Sequence, residues 1–178
     1  MKILVCISKV PDTTSKIIFV DNNTKFDENG VQYIVNPYDE WYALVRALEL
    51  VEASGGTVTT ITVGTSTDDP TIRKALAIGA NDAVRIDADP TDSFFVAKQI
   101  FEYAKNEYFD IVMTGKETIN YNGAQIGGIL AELLDMPFVS LANKLDVNGT
   151  QATLERDVQG GIEVVEVDFP FVLSASKG

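Results

Sequence analysis

The sequence contains no histidine and a single cysteine, Cys6. The first absence removes the commonest general base near neutral pH and excludes Ser-His-Asp and Cys-His catalysis within the chain. The second excludes an internal disulfide, and one thiol without a histidine cannot build a zinc site. Neither a metal centre nor a catalytic side chain is expected. Positive charge is scarce as well: 14 Lys and Arg stand against 26 Asp and Glu, a formal net charge of −12. A basic surface for phosphate backbones is therefore missing, and nucleic-acid binding is not expected. No apolar run approaches the ~20 residues of a membrane-spanning helix. The opening Met1-Lys2-Ile3-Leu4-Val5-Cys6-Ile7-Ser8 is too short an apolar stretch for a signal peptide and lacks a small-residue cleavage site. The expectation is a cytoplasmic protein without membrane insertion, with Cys6 a buried thiol in a reducing compartment.

What is present is enough apolar residue, 46% of 178, to bury the core of a single domain. Short β-branched runs at residues 3–7, 58–63, 83–86 and 111–114 read as buried parallel strands. Helical spacing fills the gaps at residues 38–53, 69–78, 93–108 and 123–134. The first of these places Trp41, Leu44, Val45, Leu48 and Val51 on one face, and Trp41, Phe94, Phe95 and Phe101 read as core. Asp39 and Glu40 stand in a first helical turn, Asp68, Asp69 and Pro70 open a helix, and Gly55, Gly56 and Gly79 fall at helix ends. Alternating strand and helix predicts an α/β fold, a three-layer sandwich around a mostly parallel sheet.

Two regions break the alternation. Residues 9–36 read as an inserted hairpin at the sheet edge, with alternating runs at 16–20 and 30–35 around the turn Asp21-Asn22-Asn23. After Pro137 the pattern turns to β-hairpins, with runs at 144–147, 151–157, 162–167 and 171–173 and turns at Asn148-Gly149 and Gln159-Gly160-Gly161. Residues 1–178 are expected to form one domain, with 143–174 its hairpin region. The stop directly after a strand reads as a truncated end.

The richest segment is Thr114-Gly115-Lys116-Glu117-Thr118-Ile119-Asn120-Tyr121-Asn122-Gly123-Ala124-Gln125-Ile126-Gly127-Gly128, joining the fourth parallel strand to a helix. Ligands of open α/β sheets bind at the carboxyl ends of the strands, and a Gly-rich loop running into a helix offers free N–H groups to an anion such as a phosphate. Asn120, Asn122 and Gln125 add donors and acceptors, Gly115 a sharp turn, and Gly127 and Gly128 close approach to a neighbour or ligand. The same segment also reads as a plain strand-to-helix loop with Asn at the helix N-cap. It is neither a Walker loop, since Gly115-Lys116 runs into Glu117, nor a Rossmann fingerprint. A second helix start, Val35-Asn36-Pro37-Tyr38-Asp39, and the strand end Val63-Gly64-Thr65-Ser66 fall on the same edge. Two polar helix starts around one crevice describe a nucleotide site, although each alone reads as an ordinary helix start or turn.

Taken in order, Val5-Cys6-Ile7-Ser8-Lys9-Val10-Pro11-Asp12, then Val35-Asn36-Pro37-Tyr38-Asp39-Glu40, then Val63-Gly64, then Thr71-Ile72-Arg73-Lys74-Ala75-Leu76-Ala77-Ile78-Gly79-Ala80, and finally Gly115-Lys116 through Gln125-Ile126-Gly127, the chain closely resembles the β subunit of electron transfer flavoprotein. Leu154-Glu155-Arg156-Asp157 before Gly160-Gly161 resembles the family's hairpin. The resemblance implies an adenine nucleotide α-hydrolase-like fold and pairing with an α subunit that carries the redox FAD. It also implies electron transfer, in fatty acid oxidation among other routes, from flavin-linked dehydrogenases to a quinone reductase or another acceptor. It further implies AMP in a structural role, or a second FAD, in this chain's own crevice. By matching positions the nucleotide contacts would be Cys6, Asn36, Pro37, Tyr38, Asp39, Val63, Gly115, Lys116, Glu117, Thr118, Ile119, Asn120, Asn122, Gly123, Gln125, Ile126 and Gly127. Such a subunit is an electron carrier and needs no catalytic side chain of its own.

The chain departs from the pattern twice. Asn120 stands where the family usually has Asp, and by the resemblance the chain is expected to lack the family's C-terminal arm, which meets dehydrogenases and the α subunit's flavin domain. A chain so cut is expected to keep the crevice and lose partner recognition. A stand-alone universal-stress-type nucleotide-binding regulator shares the layered architecture but not its usual Gly-rich phosphate loop. An ATP-using ligase or hydrolase of the same superfold would need a Ser-Gly-Gly loop after the first strand, where Ser8-Lys9-Val10 stands. Replacing Asn120 with Asp should change nucleotide affinity measurably by calorimetric titration, and an unchanged affinity would mean that residue 120 faces away from the ligand.

Overall fold

The computed structural model describes residues 1–177, and Gly178 lies outside the described residues. The chain runs β1 (Lys2–Cys6), β2 (Lys9–Pro11), β3 (Phe19–Val20), β4 (Lys25–Phe26), β5 (Tyr33–Val35), α1 (Asp39–Ser54), β6 (Thr57–Gly64), a 3-10 turn (Ser66–Asp68) and α2 (Asp69–Ala77). It continues through β7 (Asp82–Asp87), α3 (Ser93–Ala104), β8 (Ile111–Gly115), α4 (Ile126–Leu134), β9 (Phe138–Asn148), β10 (Gln151–Val158), β11 (Gly161–Asp168) and β12 (Phe171–Ala175).

One eight-stranded sheet in the order β11-β10-β9-β12-β8-β1-β6-β7 organises the molecule. From β9 to β7 every pairing is parallel, while β10 and β11 join antiparallel. The short apolar β1 lies in the middle, its Ile3 opposite Val58 on one side and Ile111 on the other. Strand alternation divides its side chains between two cores. Ile3 and Val5 pack under α1 and α2, whereas Leu4 and Cys6 pack under α3 and α4. Ile3, Leu4 and Val5 are all fully buried, each contributing about 1.5–3 kcal/mol of apolar burial. Helices on both faces follow from right-handed crossovers that run from β1 toward β6 and β7, and from β8 the opposite way. The expected three-layer α/β sandwich is thus the observed one. The order reverses between β1 and β8, and this switch point is where an open α/β sheet leaves a crevice at its carboxyl edge.

Several local expectations change. The insertion is not one hairpin of 16–20 with 30–35. Instead β2 pairs with β5, and β3 with β4, as two separate ribbons outside the main sheet. Its apolar residues Ile17, Ile18 and Phe19 are exposed, which left their alternation without a buried face to report. In the C-terminal region β9 begins at Phe138, ahead of the expected run. Phe171–Ala175 is not a hairpin strand but the parallel β12, inserted between β8 and β9. All five residues of β12 are buried, as a central strand requires. Helix α3 ends at Ala104, and α4 begins at Ile126 after an irregular loop, not at residue 123. Trp41 and Phe94, expected in the core, are exposed, because each stands at the solvent side of its helix's first turn.

Because β12 is central, truncating its buried Phe171 to Ala should cost about 3–5 kcal/mol in urea denaturation. A loss below about 1 kcal/mol would be the behaviour of a hairpin edge, not of a core strand.

Candidate functional site

At the switch point lies a crevice of about 390 Å³, within the usual range of small-molecule sites. Cys6, Ile7, Ser8 and Lys9 leave β1 into it, Ile61 and Val63 come from β6, and the segment from Thr114 to Glu117 leaves β8. Pro90, Thr91, Asp92 and Ser93 at the start of α3, and Gly123 to Ile126 at the start of α4, complete the walls. Parallel strands deliver all these segments to one edge. A larger hollow of about 480 Å³ lies between α1 and β9, lined by Tyr42, Arg46 and Lys144 among others.

Among the residues singled out from the sequence, Cys6, Val63, Gly115, Lys116, Glu117, Thr118, Asn120, Gly123, Gln125 and Ile126 line the crevice. Asn36, Pro37, Tyr38, Asp39, Ile119, Asn122 and Gly127 do not. Asn36 instead works from behind. It is 1% exposed, its Nδ2 donates to the Glu117 carbonyl at 2.9 Å, and its Oδ1 accepts the Ile119 N–H at 3.1 Å. Its own N–H donates to the Ser8 carbonyl at 3.0 Å, so one amide ties the end of β1 to the loop after β8. Tyr38 carries a left-handed φ of 66°, and its ring is exposed, with Lys177 Nζ 5.5 Å from its centre.

The two expected glycines serve close approach. A Cβ at residue 115 would lie 2.7 Å from Glu40 Cγ and 3.1 Å from the Glu40 backbone nitrogen, so Gly115 lets the first turn of α1 press on the end of β8. At residue 127 a Cβ would meet Thr114 Oγ1 at 2.7 Å and Phe138 at 2.9 Å. Gly127 thereby lets α4 sit close on the sheet, against Thr114 and Phe138.

Sequence reasoning missed Ser8, Lys9, Glu40, Asp68 and the segment from Pro90 to Ser93. The strand-to-helix rule could have found the last of these, since Asp92 caps α3 by accepting the Phe95 N–H at 2.8 Å. Glu40 stands in the first turn of α1 as expected, yet its side chain turns inward. It is 7% exposed and accepts the Ser8 N–H at 2.7 Å, with Ser8 Oγ 2.9 Å from both carboxyl oxygens. Burial, with Asp39 alongside, pushes the Glu40 carboxyl up to about 8, and burial with Glu40 nearby raises the Cys6 thiol far above its ordinary range. Cys6 is accordingly an unreactive thiol. Asp39 is raised by burial, against the pull of Lys116. The crevice cations are both paired, Lys9 with Asp68 at 2.7 Å and Lys116 with Glu117 at 2.9 Å. Among the described residues no cluster of His, Cys, Asp and Glu suits a metal ion, and no helix is long and apolar enough to cross a membrane.

Fold and site together define a doubly wound α/β protein with a polar crevice at its topological switch point. Residues 23–178 match the electron transfer flavoprotein domain. Over its whole length the chain is 36% identical to electron transfer flavoprotein subunit beta of Bacillus subtilis (strain 168), covering 70% of that protein. It is 38% identical to the mitochondrial subunit beta of Oryza sativa subsp. indica, with 98% of this chain and 71% of that protein aligned. With protein FixA of Sinorhizobium fredii (strain NBRC 101917 / NGR234) it shares 33% identity, covering 100% of this chain and 66% of FixA. The chain belongs to the electron transfer flavoprotein β-subunit family.

The Asn36 latch gives a direct test. Asn36→Ala should leave the Ile119 N–H and the Glu117 carbonyl without their partner, costing about 1–3 kcal/mol for each buried group that stays unsatisfied. The Ile119 amide should exchange with deuterium much faster while amides of β1 stay protected. Equal protection in both proteins would remove the latch.

Proposed function

We propose that the chain is the nucleotide-holding subunit of an electron transfer flavoprotein. It binds AMP, or the AMP portion of a second FAD, in the switch-point crevice. It pairs with an α subunit carrying the redox FAD, so that electrons from flavin-linked dehydrogenases reach a quinone reductase or another acceptor. Family membership supports the carrier role and leaves the universal-stress-type reading without support. A cytoplasmic setting agrees with the acidic surface and the single buried thiol.

One observation carries the nucleotide reading. Of the four helix starts on the carboxyl edge, three carry their own carboxylates: Asp39 and Glu40 on α1, Asp68 and Asp69 at α2, and the Asp92 cap on α3. Helix α4 has no acidic residue in its first turn and no capping side chain. Its leading N–H groups and the positive end of its dipole are free for a phosphate. Thr114, Gln125 and Ile126 surround that position, and the ion-paired cations Lys9 and Lys116 leave the dipole as the main attraction for an anion. In this arrangement the bound flavin supplies the redox chemistry when present. The chain's own residues hold the nucleotide and exclude water from its adenosine end.

Coexpression with a cognate α subunit should yield a yellow heterodimer. One flavin per heterodimer would identify the AMP type, two would identify the FAD type, and a colourless, unpaired chain would overturn the carrier role. Gly128→Asp would add a carboxylate at the one free helix start, at a position where a Cβ has ordinary clearance, 3.6 Å from Phe138. AMP affinity should then fall about tenfold, near 1.4 kcal/mol, and unchanged affinity would move the phosphate elsewhere.

A further inference from the structure

We propose that Glu40 and Ser8 form a proton-dependent hydrogen-bond switch on the wall of the crevice, the charge on Glu40 deciding whether the Ser8 hydroxyl offers a ligand a donor or only an acceptor. Its ligand side rests on the nucleotide reading above.

The geometry leaves two self-consistent patterns. When Glu40 is neutral, its O–H donates to Ser8 Oγ at 2.9 Å while Oε2 accepts the Ser8 N–H at 2.7 Å. The hydroxyl proton of Ser8 is then free to point into the crevice. When Glu40 is ionised, the Ser8 O–H turns back to the carboxylate at 2.9 Å, and only lone pairs face a ligand. The Ser8 backbone is held beside Glu40, because its carbonyl accepts the Asn36 N–H at 3.0 Å and the adjacent Ile7 N–H donates to the Ile61 carbonyl at 3.0 Å. Glu40 is equally fixed, with Gly115 pressed against its Cγ. Both residues line the crevice, so the change of polarity is presented to whatever lies there.

The groups around the pair favour the neutral form near pH 7. Asp39 adds a like charge on the same helix, the Cys6 thiol stays protonated on β1, and the Lys116–Glu117 pair beyond β8 faces Asp39. Next to Ser8 along the chain, Lys9 is paired with Asp68, and that pair is internally neutral. Burial raises the carboxyl to about 8, so Ser8 is a donor at neutral pH and becomes an acceptor above pH 8. A ligand oxygen, whether phosphate, hydroxyl or carbonyl, accepts from Ser8 only in the first state. Its binding therefore favours the protonated carboxyl, is tightest below that pKa and weakens as pH rises through it.

The test has two arms on the full chain. With 13C-labelled glutamate, one carboxyl signal, absent in Glu40→Gln, should titrate near 8, apart from the surface glutamates. Ser8→Ala should move its midpoint upward by about one pH unit, because the charge-assisted donor lost to the ionised form outweighs the neutral acceptor lost to the protonated one. A Glu40 signal that titrates with the surface carboxyls, or ignores Ser8→Ala, would overturn the switch. In the second arm AMP is titrated calorimetrically at pH 7 and pH 9. Wild-type affinity should drop about tenfold, with proton uptake on binding at pH 9, as a single group near pH 8 dictates. Glu40→Gln, which keeps the neutral hydrogen-bond pattern, should bind equally at both pH values. Identical pH dependence in the two proteins would refute the coupling. Failure of AMP to bind at either pH would count against the nucleotide reading alone, and the switch would then stand or fall on the carboxyl titration.

Discussion

Residue 115 has no room for a side chain because the first turn of α1 lies directly against the end of β8, and the architecture of the crevice depends on that contact. With α1 so close, Glu40 reaches across to Ser8 at the end of β1, and Asn36, just before the helix, reaches the loop beyond β8. Two neighbouring strands whose connections leave in opposite directions would otherwise splay apart at their ends. Here they are tied by one buried amide and one buried carboxyl, and the gap left beyond those ties is the crevice. A methyl group at 115 would push α1 outward, lengthening both ties together.

The fold was legible where burial is two-sided. The runs at 3–7, 58–63 and 111–114 each became a central parallel strand, since a strand covered on both faces must be apolar throughout. Legibility failed where position in the sheet matters more than local pattern. Phe171 to Leu173 is as apolar as β1, yet it follows hairpins and its local pattern matches theirs. Only the long-range pairing with β8 and β9 makes it central. At the site, the loop from Gly115 to Ile126 announced itself through glycine and amide content. Ser8 and Glu40 carried no such mark. A glutamate in a first helical turn ordinarily faces water, and that this one turns inward follows from the missing side chain at 115, 75 residues further along the chain.

Charge distribution explains how a chain of net −12 can serve an anion on the proposed reading. Carboxylates occupy three of the four helix starts on the carboxyl edge, so the chain's own anions take positions that would otherwise compete for a ligand phosphate. One helix start remains open. Repulsion from the surrounding acids falls with solvent screening, while the free N–H groups of α4 act at hydrogen-bond range. Position is thereby selected by exclusion as much as by attraction.

The loop leading into α4 is held in a conformation that its sequence would not adopt alone. Asn122 and Ala124 have left-handed φ angles of 49° and 52°, each carrying a backbone cost of about 1–3 kcal/mol for a non-glycine residue. Anchors on several sides offset that cost. The Lys116 N–H donates to Ala175 at 2.7 Å, Asn122 to Thr118 at 2.8 Å, and Asn36 grips residues 117 and 119. The loop's shape is therefore set by β12, α1 and β8 before any ligand arrives. A ligand meeting donors already in place avoids the ordering cost that a flexible loop would impose at the moment of binding. For a subunit proposed to hold a nucleotide in place without transforming it, such prior fixing is the greater part of its function.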